Sequence, residues 1–69
     1  MKVQINIDNG DGTSRVHGTF EIPATPSIGS HLDLVSASGE LSRARVVDVA
    51  FSIHDTEGFR AVVIDCEYV

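Results

Sequence analysis

The sequence predicts an all-β protein, folded as one small barrel of five strands. Three observations support this prediction. Apolar and polar residues alternate with a period of two over several segments, which is typical of half-buried strands. Glycine-rich or polar turns separate these segments, and no segment has apolar residues at helical spacing. A small two-sheet β-sandwich and an OB-like barrel are the alternatives, although the sequence shows no helix of the kind that OB folds carry.

The first two strands form a predicted hairpin. Lys2 to Asp8 alternates with its apolar residues on one face, and Arg15 to Ile22 alternates again. The inward residues of these strands are Val3, Ile5, Ile7, Val16, Gly18, Phe20 and Ile22. The Asn-Gly and Asp-Gly pairs between the strands supply the positive φ angles of a tight turn. Gly18 predicts close packing by the Phe20 ring or by another backbone segment.

The middle of the chain predicts a loop and a short strand. Pro23 and Pro26 lack amide donors, so the segment from Pro23 to Ser30 is predicted to be a loop or an extended crossing segment. His31 to Val35 is the next strand, with Leu32 and Leu34 inward. Small residues from Ser36 to Glu40 then form a turn.

The segment from Arg43 to His54 predicts one long strand that changes phase. Ala44 and Val46 are the inward residues of its first half. The inward residues of its second half are Val47, Val49, Phe51 and Ile53. Because a slip of one residue moves a whole apolar set to the other face, we expect a β-bulge or bend between Val46 and Val47.

The last strand, Phe59 to Tyr68, predicts a central position in the sheet. It follows a polar hairpin loop, His54 to Gly58. Its inward residues are Val62, Ile64, Cys66 and Tyr68, but Phe59, Ala61 and Val63 on the other face are apolar too. A strand that is apolar on both faces is usually covered on both sides.

Length and charge limit the functional classes. Residues 1–69 make a single domain, and ten acidic against five basic residues give a net charge of −5. This acidic balance disfavours nucleic acid and membrane surfaces as partners. The single cysteine, Cys66, excludes an internal disulfide, and the absence of a signal-like apolar run predicts a cytoplasmic location.

Two stretches resemble a known class of domain. Pro26-Ser27-Ile28-Gly29-Ser30-His31-Leu32-Asp33-Leu34, followed by Arg45-Val46-Val47-Asp48-Val49, resembles small SH3-like barrels of short bacterial and phage-encoded proteins. The resemblance covers Pro26 to Ile53 and implies an SH3-like barrel. Peptide-binding members carry exposed Tyr and Trp along a groove, whereas this chain has no Trp and one Tyr. No binding residue carries over from the resemblance.

Three arginines form a candidate basic patch. Arg43 and Arg45 point the same way on the long strand, and Arg60 lies on the strand that follows. Together they predict contact with a phosphate or an acidic surface. The simpler interpretation is that they pair with Glu40, Asp48 or Glu57.

Four apolar residues at predicted outward positions form a second candidate surface. They are Val35, Ala50, Ala61 and Val63. Gathered on adjacent strands, such residues would mark an interface, and association would stabilise a small domain without disulfides.

Other reactive residues favour structural roles. The segment from Asp8 to Thr13 fails the spacing of a calcium-binding loop and predicts a turn. His17, His31, His54, Asp55, Cys66 and Glu67 lack short metal-ligand spacings, so we expect no metal site. Cys66 is predicted to be buried and inert.

The sequence therefore predicts a non-catalytic protein-interaction module that binds a protein partner or itself. A nucleic-acid-binding barrel that uses Arg43, Arg45 and Arg60 is the alternative. No nucleophile, base and orienting group fall together, so we expect neither an enzyme nor a cofactor, and no small-molecule substrate is evident.

Overall fold

Five strands make up the computed structural model, which describes residues 1–8 and 10–69. They are β1 (Lys2–Asp8), β2 (Ser14–Glu21), β3 (His31–Val35), β4 (Leu41–His54) and β5 (Gly58–Tyr68). No helix is present among the described residues. The prediction of an all-β, five-stranded chain is confirmed.

All five strands belong to one sheet, in the order β2-β1-β5-β4-β3. The pairs β1–β2, β3–β4 and β4–β5 are antiparallel, whereas β1 and β5 run parallel. β5 is the central strand, as its apolar residues on both faces predict. The sheet curls strongly into a half-barrel, and its edge strands β2 and β3 are not neighbours in the strand order. The sheet is thus a partly closed small barrel. The two separate sheets of a β-sandwich do not form, because all five strands belong to one sheet.

The core lies on the inner face of the curl. It is built by β1, β4 and β5, because these three strands are adjacent at the middle of the sheet. The buried residues are Val3, Ile5, Ile7, Ala44, Val46, Val62, Ile64 and Cys66. Ile22, Leu32, Leu34 and Val49 pack against them from the margins and stay partly exposed. The stabilisation by buried apolar surface therefore comes mainly from three strands, β1, β4 and β5.

A β-bulge interrupts β4 where the sequence changes phase. Val46 pairs with Cys66 and Asp48 pairs with Asp65, so Val47 has no partner of its own. The extra residue keeps Val46 and Val49 on the core side despite their odd spacing. The predicted bulge is confirmed.

The predicted burial of the second half of β4 is wrong. Val47, Phe51 and Ile53 are 42%, 61% and 67% exposed, and only Val49 is partly buried. β1 pairs with β5 only from Val62 onward, and β3 pairs with β4 only as far as Arg45. In the part of the chain that the structure describes, no strand therefore extends far enough to cover the inner face of this part of β4.

The predicted burial of Val16 in β2 is wrong because β2 contains a second β-bulge. Ile5 pairs with Gly18 and Asn6 pairs with Val16, which leaves His17 as the extra residue. Val16 therefore lies opposite an outward residue and is 60% exposed instead of buried. Phe20 was also expected inside but remains 42% exposed.

The prediction for Gly18 is confirmed. A Cβ atom on Gly18 would lie 2.8 Å from Cζ of Phe20, closer than carbon atoms normally approach. The Phe20 ring thus occupies the space that a side chain at Gly18 would need. This ring covers part of the inner face of the edge strand.

The loop between β2 and β3 crosses from one edge of the sheet to the other. Gly29 N donates a hydrogen bond of 2.8 Å to Val46 O, and Val46 N donates one of 2.9 Å to Ser30 O. Gly29 has a φ of 92°, a conformation that side chains disfavour. These bonds continue the β3–β4 ladder beyond His31 and fix the end of the loop against β4.

Candidate interaction surface

The β4–β5 hairpin runs beyond the rest of the sheet. The last pair between β1 and β5 is Val3 with Val62, and Phe51 lies opposite Val62 on β4. We call residues 51–61, which lie at and beyond this point, the distal arm. The molecule measures 39 × 26 × 20 Å, and its Cα radius of gyration is 12.5 Å. A compact domain of this length would have a radius of about 11 Å, so the molecule is elongated.

Three large apolar side chains of the distal arm are exposed to solvent. Phe51, Ile53 and Phe59 are 61%, 67% and 55% exposed. Ile53 and Phe59 are cross-strand partners, and Phe51 is two residues from Ile53 on the same strand. Residues at these positions share one face of a two-stranded ribbon. Contiguous exposed apolar side chains of this size are typical of an interaction surface.

The tip of the distal arm is held by its own hydrogen bonds. Nδ1 of His54 accepts hydrogen bonds from the backbone N–H groups of Thr56 and Glu57, at 3.3 and 3.2 Å. The turn is thus closed locally and does not depend on the core.

The predicted outward apolar residues are brought together only in part. Ala50 and Val63 are cross-strand partners, and Ala61 is two residues from Val63 on β5. Ala50 is exposed, whereas Ala61 and Val63 are partly buried. Val35 pairs with Leu41 at the other end of β4 and is 67% exposed. Ala61 therefore belongs to the distal arm, and Ala50 and Val63 adjoin it. The role of all four residues in binding remains a prediction.

Arg43 and Arg45 are exposed, and each has a carboxylate partner. Nε of Arg43 donates to Oδ1 of Asp33 at 2.9 Å, and Nη2 of Arg45 donates to Oε1 of Glu67. The hydrogen bond from Arg43 holds the pKa of Asp33 below its ordinary value and raises the pKa of Arg43. Ion pairing, the simpler interpretation, is confirmed for Arg43 and Arg45.

The predicted partners of these arginines were wrong. Glu40, Asp48 and Glu57 are not the partners, because Asp33 and Glu67 lie directly opposite Arg43 and Arg45 in the strand register. The reason is that the neighbours of a strand residue are set by register, which residue spacing along one chain does not specify.

Arg60 does not join the other two arginines. It lies between Ala61 and Phe59 on β5, at the second register shift of the β4–β5 pair. Arg45 is opposite Glu67, so Arg60 is roughly 20 Å farther along β5 at the ordinary rise of a strand. The three arginines do not form one patch.

An open groove separates the edge strands β2 and β3. It has a volume of about 420 Å³ and a floor at Ile5. Its apolar walls are formed by Phe20, Ile22, Leu32, Leu34 and Val35. His17 and His31 also line it, and no sequence pattern predicts that these two side chains lie near the same groove. The groove is the gap that remains because the half-barrel does not close.

The other candidate ligands are dispersed. His54 lies at the tip of the distal arm, far along the chain from the groove that His17 and His31 line. Among residues 1–8 and 10–69, no group of three or more His, Cys, Asp or Glu side chains is arranged to hold a metal ion. Cys66 is buried as predicted, and burial raises the pKa of its thiol.

The turn between β1 and β2 uses its carboxylates for backbone hydrogen bonds. Oδ1 of Asp8 accepts from Gly10 N at 2.7 Å, and Oδ1 of Asp11 accepts from Thr13 N at 3.0 Å. The hydroxyl of Thr13 donates to the same oxygen and lowers the pKa of Asp11. Asn9, which belongs to the predicted turn, lies outside the described residues. These contacts agree with the predicted turn.

Comparisons with protein-family models, curated proteins and solved structures find no match to this chain. Within the part of the chain that the structure describes, no helix has the length and apolar character needed to cross a membrane.

The sequence reasoning missed Phe51, Ile53 and Phe59 as surface residues. One signal could have found them, which is strand length. β4 and β5 have 14 and 11 residues, whereas β1, β2 and β3 have 7, 8 and 5. Two long paired strands among shorter neighbours must extend beyond them, so part of their apolar face has nothing opposite it.

Proposed function

We propose that this chain is a non-catalytic protein-interaction module that associates with a second copy of itself through the distal arm. The observation that carries the proposal is the exposure of Phe51, Ile53 and Phe59 on one face of the ribbon. An exposed apolar surface lowers its free energy when a partner removes it from water.

The large solvent-exposed area of the chain supports association with a second copy. The chain exposes 4736 Å², and a globular monomer of 7.4 kDa would expose about 4,200 Å². The phenyl rings of Phe51 and Phe59 alone expose roughly 200 Å² per copy. A standard interface buries about 800 Å² per partner, so these rings supply only the centre of an interface and not its whole area. We therefore expect a weak dimer whose population depends on concentration.

A second copy fits this surface because the three apolar side chains carry no charge. In a two-fold dimer the same patch meets itself, so a patch without charge avoids the repulsion of identical charges. The acidic residues of the hairpin loop, Asp55 and Glu57, lie in the turn at the tip. They would remain at the rim, where water screens them.

The finer assignment of the fold to the SH3-like class stays a proposal, and so does a cytoplasmic location. The nucleic-acid alternative has less support. Arg43 and Arg45 each engage a carboxylate, and Arg60 is distant from both. Phosphate contact would have to displace those carboxylates, which favours self-association over this alternative.

Sedimentation equilibrium over a wide concentration range tests the proposal. We expect the wild-type chain to shift from monomer to dimer, and the Phe51→Ser and Phe59→Ser variants to remain monomeric. Val35→Ser is the matched control, because Val35 is 67% exposed but lies away from the distal arm. Its dimer constant should equal that of the wild-type chain. A wild-type chain that is monomeric at millimolar concentration, or a dimer lost only in Val35→Ser, would contradict the proposal.

A further inference from the structure

A second pocket lies on the outer face of the sheet, beside the base of the distal arm. Its volume is about 300 Å³, at the lower end of the range for small-ligand sites. The residues that line it come from four strands, because β2, β1, β5 and β4 are adjacent here. They include Lys2, Gln4, Thr19, Ser52, Arg60 and Ala61.

The charges in this pocket differ from those of the whole chain. The chain has ten acidic and five basic residues, yet the described residues that line the pocket include two of the basic residues and no carboxylate. Within residues 1–8 and 10–69, neither Lys2 nor Arg60 has an ion-pair partner. Glu21 is opposite Lys2 in the register, but its Oε2 accepts from the ammonium of Met1 at 3.0 Å. The pocket is thus a local centre of positive charge in an acidic protein.

The bulge in β5 places Arg60 in this pocket. Val62 is buried on the inner face, so strict alternation would put Arg60 on the inner face as well. The register shift between Ser52 and Ile53 leaves Arg60 as the extra residue, and its side chain lies with Ala61 on the outer side. A bulge commonly redirects one side chain in this way.

We propose that this pocket binds an oxyanion, either a phosphate or a carboxylate group of a small ligand. The planar guanidinium of Arg60 can donate two parallel hydrogen bonds to an oxyanion, and Lys2 adds a point charge. The hydroxyls of Thr19 and Ser52 and the amide of Gln4 add neutral donors at the walls. The site lies on the outer face and does not require the dimer of the distal arm.

Titration of the labelled protein, followed by backbone amide chemical shifts, tests this site. Sodium phosphate, sodium acetate and sodium chloride are compared at equal ionic strength, with protein dilute enough to be monomeric. We expect saturable shifts at Gln4, Thr19, Ser52 and Ala61 with phosphate. Saturation with phosphate alone assigns a phosphate group, and saturation with acetate as well assigns oxyanions in general. Equal shifts with chloride would overturn the proposal.

Charge-removing variants identify the residues that bind. Arg60→Gln and Lys2→Gln should each weaken phosphate binding about tenfold, which is the effect of losing one charge-assisted hydrogen bond. Lys2→Gln leaves the bulge untouched, so it keeps the test valid if Arg60→Gln disturbs the fold. Arg15→Gln is the matched control, because Arg15 is an exposed cation outside this pocket. Binding that is unchanged in Lys2→Gln, or weakened equally in Arg15→Gln, would overturn the proposal.

Discussion

Two halves of one hairpin have different environments. Near the middle of the sheet, β4 and β5 bury Val46, Ile64 and Cys66 under the curl. At the distal arm, the same two strands expose Phe51, Ile53 and Phe59. The change occurs within one cross-strand pair, since Val62 is fully buried and its partner Phe51 is 61% exposed.

The two halves differ because sharing a face and being covered are separate properties of a side chain, and apolar alternation indicates only the first. Alternation determines which side chains share a face, because the pleat has a period of two. Whether that face is covered depends on how far the neighbouring strands extend. β1 pairs with β5 only as far as Val62, and the ladder between β4 and its other neighbour ends at Val46. Within residues 1–8 and 10–69, no further strand lies beside the distal arm.

The largest difference between the two halves should appear in stability. Ile64→Ala removes a fully buried side chain and should lower the free energy of unfolding by about 2–5 kcal/mol. A domain of this size has little stability to lose, so this variant should be largely unfolded. Phe51→Ala should lower it by less than about 1 kcal/mol in dilute solution, because the ring is already in water. Denaturant unfolding of both variants measures the difference, and equal losses would contradict the division into a covered and an uncovered half.

A smaller effect should appear at the edge strand β2, where one ring provides the cover. Gly18→Ala places a Cβ atom 2.8 Å from Cζ of Phe20, so the ring must move and stability should fall by about 1 kcal/mol. In a Phe20→Ala background the same change should be neutral or stabilising, because alanine restricts the unfolded chain. A double-mutant cycle of thermal or denaturant unfolding measures this coupling. Additive effects would show that the ring does not cover Gly18.

The buried thiol should make the core sensitive to alkaline pH. Burial raises the pKa of Cys66 above its ordinary value of 9.0, so the folded state disfavours the thiolate. The free energy of unfolding should therefore keep its full value at pH values below the ordinary pKa of the thiol. It should decrease as the pH rises above that pKa, because the thiol of the unfolded chain ionises first. Unfolding midpoints between pH 7 and pH 10 measure the effect, and Cys66→Ala should lack this component. An identical alkaline loss in Cys66→Ala would assign it to other groups.

The smallest effect should come from the exposed pair of Asp33 and Arg43. The hydrogen bond from Arg43 keeps the pKa of Asp33 below its ordinary value of 3.8. The pair therefore stabilises the fold above that pH, and this contribution is lost as the pH falls and Asp33 is protonated. In Arg43→Gln, the titration of the Asp33 carboxyl carbon in NMR spectra should move back toward the ordinary value. Glu40→Gln is the control and should leave the Asp33 titration unchanged.

Much of the fold was predictable because it depends on local patterns. The alternation from Lys2 to Asp8 and the turn residues after it specify a strand and a hairpin, and the phase change at Val46 and Val47 specifies the bulge. The parallel pairing of β1 with β5 was not predicted, since it joins opposite ends of the chain. The site was predicted least well. Whether the Phe51 side chain is covered depends on where β1 pairs with β5. The sequence around Phe51 contains no local signal of that long-range pairing.

The most direct test is amide hydrogen exchange in the distal arm as a function of protein concentration. In dilute solution, the amides of Ser52, Ile53 and Arg60 should exchange much faster than those of Val62 and Ile64. At high concentration, association should slow exchange in the distal arm, while residues 31–35 of β3 serve as the internal reference. Protection in the distal arm that does not change with concentration, or that rises equally in β3, would contradict the proposal that an uncovered arm is the interface.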